Sequence, residues 1–253
     1  MARASEKRHW ERFWTGSEAI EDVYDNGGRV LAALLHDFDP RGARVLEVGA
    51  GSGRDSLELV RRGARVFVLD YTPTALALIG RQPDGARLQR VCADAFRMPF
   101  PDGSFDAIFH QGLLEHFRDP AALLRENARV LRPGGRLLVD VPQRWHYYTP
   151  MKHVLIALDR WFAGWETEFS IGQLRALLRD VGLRPVHAYG DWCVPNLFYR
   201  VGRKALLRTG VRLPLQPTIP VVGPALVRAR RALANTSLPL HTGMNIGCIA
   251  VKE

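Results

Sequence analysis

From residue 44 onward, short apolar runs alternate with longer stretches in which apolar residues recur at helical spacing. Arg44 to Val48, Arg65 to Leu69, Arg87 to Cys92, Ala107 to Gln111 and Arg136 to Val141 read as strands. Arg54 to Arg62, Pro73 to Arg81 and Pro120 to Leu131 read as the helices between them. Alternation at this pitch predicts a parallel sheet with helices covering both faces. Ligands of such sheets bind beyond the carboxyl ends of the strands, so the chemistry belongs in the loops that follow them. Upstream, residues 1–40 read as a helical cap, with Trp10, Phe13 and Trp14 on one stripe and a second apolar run from Val30 to Phe38. The turn Asp39-Pro40-Arg41-Gly42 closes it.

Regularity ends after Val141. Pro142 to Phe169 is rich in aromatic residues and reads as a loop or lid, followed by a helix from Ile171 to Val181. Leu183 to Tyr189 and Asn245 to Val251 read as two further strands. Between them, residues 191–243 form an irregular insertion punctuated by Pro195, Pro214, Pro217, Pro220, Pro224 and Pro239. The expected organisation is a single domain: cap 1–40, core 41–141, lid 142–169, insertion 191–243 and last strand 244–253.

Length and composition agree with that organisation. With 253 residues, 47% of them apolar, the chain can bury one full α/β core and has little room for a second. The charged start, Met1 to Arg12, lacks the apolar run of a signal peptide, and no uninterrupted apolar stretch is long enough to span a bilayer, so a cytoplasmic protein is expected. Cys92, Cys193 and Cys248 lack metal-ligand spacing and cannot all pair, which argues against a disulfide framework or a metal site.

The net charge of +9 is unevenly placed. From Trp192 to Lys252 there is no acidic residue, while Arg200, Arg203, Lys204, Arg208, Arg212, Arg228, Arg230, Arg231 and Lys252 are basic. Leu197 to Arg208 sets Leu197, Val201 and Ala205 along one stripe with most of its basic residues elsewhere, the pattern of a basic amphipathic helix. Two partners suit residues 197–231: an anionic membrane surface, touched peripherally, or an anionic or lipid-linked acceptor. A dimer contact or a solvated helical cap fits the same pattern, and oligomeric state is not legible.

The strongest local signal is Val45-Leu46-Glu47-Val48-Gly49-Ala50-Gly51-Ser52-Gly53, an apolar strand running into a glycine-rich turn and then a helix. A dinucleotide-binding turn needs its third glycine at position 54, where this chain has Arg54. Two further carboxylates close successive strands, Asp70 after Val66 to Leu69 and Asp94 after Val91-Cys92-Ala93. A lone strand-end aspartate commonly just forms a turn or caps a helix. Coupled to the glycine turn, the three acids form a pattern.

With Glu47 two residues before Gly49, the turn resembles the E-x-G-x-G-x-G motif of class I S-adenosylmethionine-dependent methyltransferases. The resemblance continues through Phe105-Asp106-Ala107-Ile108, His110-Gln111-Gly112-Leu113-Leu114-Glu115-His116 and Leu131-Arg132-Pro133-Gly134-Gly135-Arg136, covering roughly residues 41–190 and the final strand. It implies a Rossmann-like sheet of seven mostly parallel strands with helices on both faces and the last strand antiparallel. It also implies S-adenosylmethionine as cofactor, with Glu47, Gly49, Ala50, Gly51 and Gly53 around its methionine moiety. Asp70 and Tyr71 would hold its ribose, and Asp94, Ala95 and Phe96 its adenine. His110 and Gln111 would line the pocket near the sulfonium. The family ordinarily joins its last two strands by a short hairpin, so the insertion is a departure.

Methyl transfer is a displacement at an already activated carbon, so placing the acceptor in line and excluding water come first. A base is needed only if the acceptor must lose a proton. His116, with Glu115 beside it, is the first candidate, and a packing or capping histidine is its plainer reading. His146 is the second, and with Tyr147, Tyr148 and His153 it is also a candidate acceptor contact in the lid, although Gln143, Arg144 and Trp145 read equally as packing. The expected activity is methylation of a small-molecule or lipid-like acceptor positioned by the lid and the insertion. A nucleic-acid methyltransferase is disfavoured, because the basic tail is interleaved with proline and aliphatics rather than stacking aromatics. A non-catalytic binder would show eroded glycine or acidic positions, and a nicotinamide oxidoreductase a differently placed glycine.

Overall fold

The computed structural model describes residues 6–15, 26, 28–161, 163–192, 197–207, 209–214, 228, 232–233 and 236–253. The elements run α1 (Lys7–Thr15), α2 (Arg29–Leu34), β1 (Arg44–Val48), α3 (Arg54–Arg61), β2 (Arg65–Asp70), α4 (Pro73–Gly80), β3 (Gln89–Cys92), β4 (Phe105–Gln111) and α5 (Pro120–Val130). They continue with β5 (Leu131–Pro142), α6 (Tyr148–Ala157), α7 (Ile171–Asp180), β6 (Leu183–Asp191), α8 (Leu197–Leu207), α9 (Leu238–Thr242) and β7 (Asn245–Lys252).

The strands form one seven-stranded sheet in the order β3-β2-β1-β4-β5-β7-β6. β1 to β5 pair in parallel, and β7 slots antiparallel between β5 and β6. Side chains alternate across the sheet as a period of two requires. Leu46, Val48, Ile108, Leu137 and Val139 pack with α5 and α7 on one face. Val45, Val66, Val68, Ala107, Phe109 and Leu138 pack with α2, α3 and α4 on the other. Chain order reverses between β1 and β4, the switch point at which a crevice opens beyond the strand ends.

Two elements differ from expectation. β5 begins at Leu131, which pairs with Phe105, and the register then jumps to Ala107 opposite Arg136. The intervening Arg132-Pro133-Gly134-Gly135 bulges out, with Gly134 at φ +72°. The second difference is α6, a helix inside the stretch expected to be loop. Its inward face carries Lys152 and Ile156, both buried, whereas Met151, Val154 and Leu158 point outward. The helical period is present with inverted polarity, which is why an apolar-inward pattern does not reveal it.

Lys152 is buried between Glu166 and Glu168, with Nζ 2.7 Å and 2.6 Å from their carboxylate oxygens. Trp161 donates its indole N–H to Glu166 at 2.8 Å, and His153 Nε2 lies 2.8 Å from Glu168. Burial works against the Lys152 charge, but Glu166 and Glu168 more than offset it and raise its pKa. A second buried network, Arg29 to Asp140 at 2.8 Å with the Tyr189 hydroxyl also donating to Asp140 at 2.8 Å, ties α2 to the sheet.

Of the insertion, α8 and α9 are described, and α9 packs on β6. The stripe expected at Leu197 and Val201, the side chains of Arg200 and Lys204, and Arg208, Arg230 and Arg231 lie outside the described residues. Among the described residues, no helix is long and apolar enough to cross a membrane.

Candidate active site

A cavity of about 720 Å³ opens at the carboxyl ends of β1, β2 and β4, within the size range of small-molecule sites. The β1–α3 turn forms its floor. Gly49, Gly51 and Gly53 take φ of +67°, +51° and +64°, and each also sits against a neighbour. A Cβ on Gly49 would stand 2.7 Å from Leu113, and one on Gly51 2.6 Å from the Trp14 ring. The turn is therefore both left-handed and tightly roofed.

Four N–H groups of this turn are spent inside the protein. Gly49 and Ala50 donate to the Leu69 carbonyl, Gly53 to the Ala50 carbonyl, and Gly51 to Asp70 Oδ2 at 3.1 Å. A turn built to cradle pyrophosphate would aim such groups at the ligand. Asp70 is pinned further by the Thr72 N–H and hydroxyl, both donating to Oδ1, at 2.8 Å and 2.6 Å. A carboxylate offers about four lone-pair directions, so roughly one on Oδ2 remains for a ligand hydroxyl.

The floor is acidic. Glu47, Asp55, Glu58, Asp70 and Asp94 all line the cavity. Glu47 is buried and accepts from the Ser56 hydroxyl at 2.5 Å. Burial, followed by the charges of Asp55 and Asp70, pushes its pKa well above the usual carboxylate value. Arg54 lines the same cavity, and a bound cation beside Glu47 would favour its ionised form. Asp55 and Gln111 are bridged by Asn26, whose side-chain amide nitrogen lies 2.6 Å from the one and 2.8 Å from the other.

Tyr71, Asp94, Ala95 and Gln111 also line the cavity, beside Ala93, Phe96, Leu113 and Phe117. Asp94 spends Oδ1 on its own turn, accepting from the Phe96 N–H at 2.9 Å. Over the opening lies α1, with Trp10, Phe13 and Trp14 in the lining.

His116 stands at the rim, in a 3₁₀ turn after β4, with its ring edge-on to Trp10 at a centroid distance of 4.7 Å. Its Nδ1 lies 3.4 Å from the Trp165 carbonyl oxygen. Burial lowers its pKa, outweighing the Glu166 charge and the carbonyls of Trp165 and Gly112, and so favours the neutral ring. A neutral imidazole carries one N–H, which leaves the other nitrogen with a lone pair.

Two expected site residues are not brought to this cavity. His110 lies on the sheet face that the α5 and α7 core covers. It is fully buried and outside the cavity wall, and neither ring nitrogen has a hydrogen-bond partner among the described residues. His146 is used locally at the start of α6, where its Nδ1 accepts from the Tyr148 N–H at 3.3 Å and its ring packs on Tyr147. Burial depresses the His110 pKa to about 3, against an ordinary 6.5. Between those values the unfolded chain binds a proton that the folded one does not, so stability falls as pH drops through that window. His110→Leu is expected to raise stability by about 1–2 kcal/mol at pH 7, because it removes an unpartnered buried polar group. It should also flatten the loss of stability between pH 6.5 and 5, as read by urea denaturation, without altering cofactor binding.

Residues 46–139 match the family described as a methyltransferase domain. The demethylmenaquinone methyltransferase of Mycobacterium sp. (strain KMS) is 43% identical over 195 residues, 73% of this chain and 78% of that protein. The chain belongs to the S-adenosylmethionine-dependent methyltransferases. The ubiquinone biosynthesis O-methyltransferase of Xanthomonas axonopodis pv. citri (strain 306) is 37% identical over 136 residues, 53% of this chain and 57% of that protein. Among solved structures, an S-adenosylmethionine-dependent methyltransferase from Mesorhizobium loti shares the fold, with a TM-score of 0.60 at 18% identity over 91% of this chain and 99% of that one.

The cofactor of this methyltransferase is S-adenosylmethionine, and the chemistry of the cavity fits it. The acidic floor suits a sulfonium and an ammonium, the pinned Asp70 suits a sugar hydroxyl, and the slot of Leu69, Ala93, Ala95, Phe96 and Leu113 suits a flat base. The strand-end residues Glu47, Asp70 and Asp94 expected from the sequence line the cavity, and Asn26, Asp55 and the α1 roof line it without having been expected. The Trp10, Phe13, Trp14 stripe was the available signal for the roof. Nothing local marks Asn26, because its partners are 29 and 85 residues away.

Proposed function

We propose that this enzyme methylates a small, largely apolar acceptor bound beside His116, with His116 taking the proton that the acceptor loses. The observation that carries this reading is the make-up of the cavity beyond β4, where Trp10, Phe13, Leu113 and Phe117 line the wall together with His116, whose ring packs on Trp10 and whose burial favours the neutral form. In the same reading, Asp70 and Tyr71 hold the ribose, Asp94, Ala95 and Phe96 flank the adenine, and Glu47 and the glycine turn face the methionine end. When bound, S-adenosylmethionine supplies a methyl carbon activated by its sulfonium. The chain's own task is to orient the acceptor, exclude water under the α1 roof, and accept a proton at the ring nitrogen of His116 that carries the lone pair.

The names of the quinone-pathway relatives support an aromatic ring or its hydroxyl as the acceptor, since methylation at either position releases a proton. Short-chain quinols are therefore the first acceptors to assay, using methyl-labelled cofactor. With a productive acceptor, His116→Gln is expected to lower kcat by about 10²-fold while leaving product-cofactor affinity nearly unchanged. The base works only when neutral, so the wild-type rate should be flat above the ordinary histidine value of 6.5 and decline at lower pH. A variant with wild-type kcat, or an acid limb centred above that value, would remove His116 from the chemistry.

A further inference from the structure

We infer that the outer face of α6, continued by the start of α8, is a docking surface for an anionic lipid bilayer. The argument starts from the inversion of α6, whose buried positions Lys152 and Ile156 are one turn apart on the inward side. Met151, Val154 and Leu158 fall opposite them on a single stripe, 44%, 58% and 58% exposed. Just before the helix, Trp145 and Tyr147 are 69% and 56% exposed. Phe198 of α8, 69% exposed, stacks on Tyr147 with ring centroids 5.8 Å apart and planes 3° from parallel, so the two helices present one surface.

A scattered exposed leucine needs no explanation, but a contiguous apolar and aromatic face over a helix that buries its lysine does. In water this arrangement is inverted. It becomes favourable when the outer face meets hydrocarbon and the aromatic rings sit at headgroup depth.

Charge selects the kind of membrane. Arg144 and Arg160 flank α6 and are exposed, with Asp159 the acid beside them. The chain that follows, from Trp192 to Lys252, carries nine basic residues and no acid. Such a segment is drawn to anionic headgroups and repelled by a basic partner. The helix that carries this face is linked to the site through one packed segment. Glu166 and Glu168, which hold Lys152, belong to the segment that touches the rim, where the Thr167 N–H donates to the Glu115 carbonyl and the Trp165 carbonyl faces His116. A membrane-bound orientation would thus set the bilayer one helix and one segment away from the His116 rim. The inference rests on the outer face and stands whether or not the acceptor reading holds.

The test is co-sedimentation of the full chain with vesicles of phosphatidylglycerol and phosphatidylcholine, compared with phosphatidylcholine alone. A Val154→Asp, Leu158→Asp double variant is assayed in parallel. Both substituted positions point to solvent, and the variant's thermal melting and S-adenosylhomocysteine binding, expected to match wild type, show that it is folded and its cofactor site intact. Wild type should sediment with the anionic vesicles and little with the neutral ones, less so as salt is raised, and the variant should bind at least about tenfold more weakly. Absence of vesicle binding by wild type, or undiminished binding by the variant, overturns the proposal. So does a wild-type dimer in sedimentation velocity that the same substitutions dissociate, since a second copy would then be the occupant of the face.

Discussion

Lys152→Met is expected to destabilise the folded protein by about 3–5 kcal/mol at neutral pH. Lys152 is only 3% exposed, and Glu166 and Glu168 are nearly as buried, so its loss leaves Glu166 without a counter-charge and Glu168 with only His153 beside it. Glu115, also buried, already has its pKa pushed well above the carboxylate value by burial and by the charge of Glu166. In wild type the raised pKa of Lys152 means that its stabilising contribution is fully present below the ordinary lysine value and is lost only as pH rises through the folded value. Urea denaturation of wild type and variant at pH 7 measures the loss. Adding Glu166→Gln and Glu168→Gln should restore much of the loss, because no buried charge is then left unpaired. A Lys152→Met protein as stable as wild type would mean that the cluster is solvated and contributes little.

Asp70→Ala is expected to weaken S-adenosylhomocysteine binding by about 10²-fold. The residue combines two tasks: presenting an acceptor to the cavity and anchoring the Gly51 N–H and both Thr72 donors that hold the adjoining turns. Ligand-induced stabilisation separates binding from scaffold damage. At a ligand concentration about 100 times the wild-type dissociation constant, wild type should gain about 2.7 kcal/mol, and a variant binding 100-fold more weakly about 0.4 kcal/mol. Because each protein is compared with itself with and without ligand, a less stable variant does not obscure the result. An undiminished gain would move the ribose away from Asp70.

The strand-end chemistry was legible in the sequence for a physical reason. Glu47, Asp70, Asp94 and the glycines lie within a few residues of apolar runs that can only be strands, and the sheet delivers every such end to one edge. The parallel core and its final antiparallel strand followed from the same pattern and from the family resemblance. His110 shows where the pattern misleads. It lies one residue before Gln111, and adjacent strand residues face opposite sides, so one lines the cavity and the other is sealed in the core. His146 shows a second limit: an aromatic, histidine-rich stretch suggests contact with a ligand, yet its backbone and ring serve the start of α6. The helix itself was hidden because its polarity is reversed. The bridging role of Asn26 depends on contacts across most of the core, and no local spacing carries that information.

Calorimetric titration of the purified full chain with S-adenosylhomocysteine, with NADH as the control ligand, tests the central claim most directly. The structure predicts saturable binding of one S-adenosylhomocysteine per chain and no binding of NADH, whose pyrophosphate would find the N–H groups of Gly49, Ala50, Gly51 and Gly53 already spent. A well-folded protein that fails to bind S-adenosylhomocysteine, or that binds NADH in its place, would contradict the assignment of this cavity.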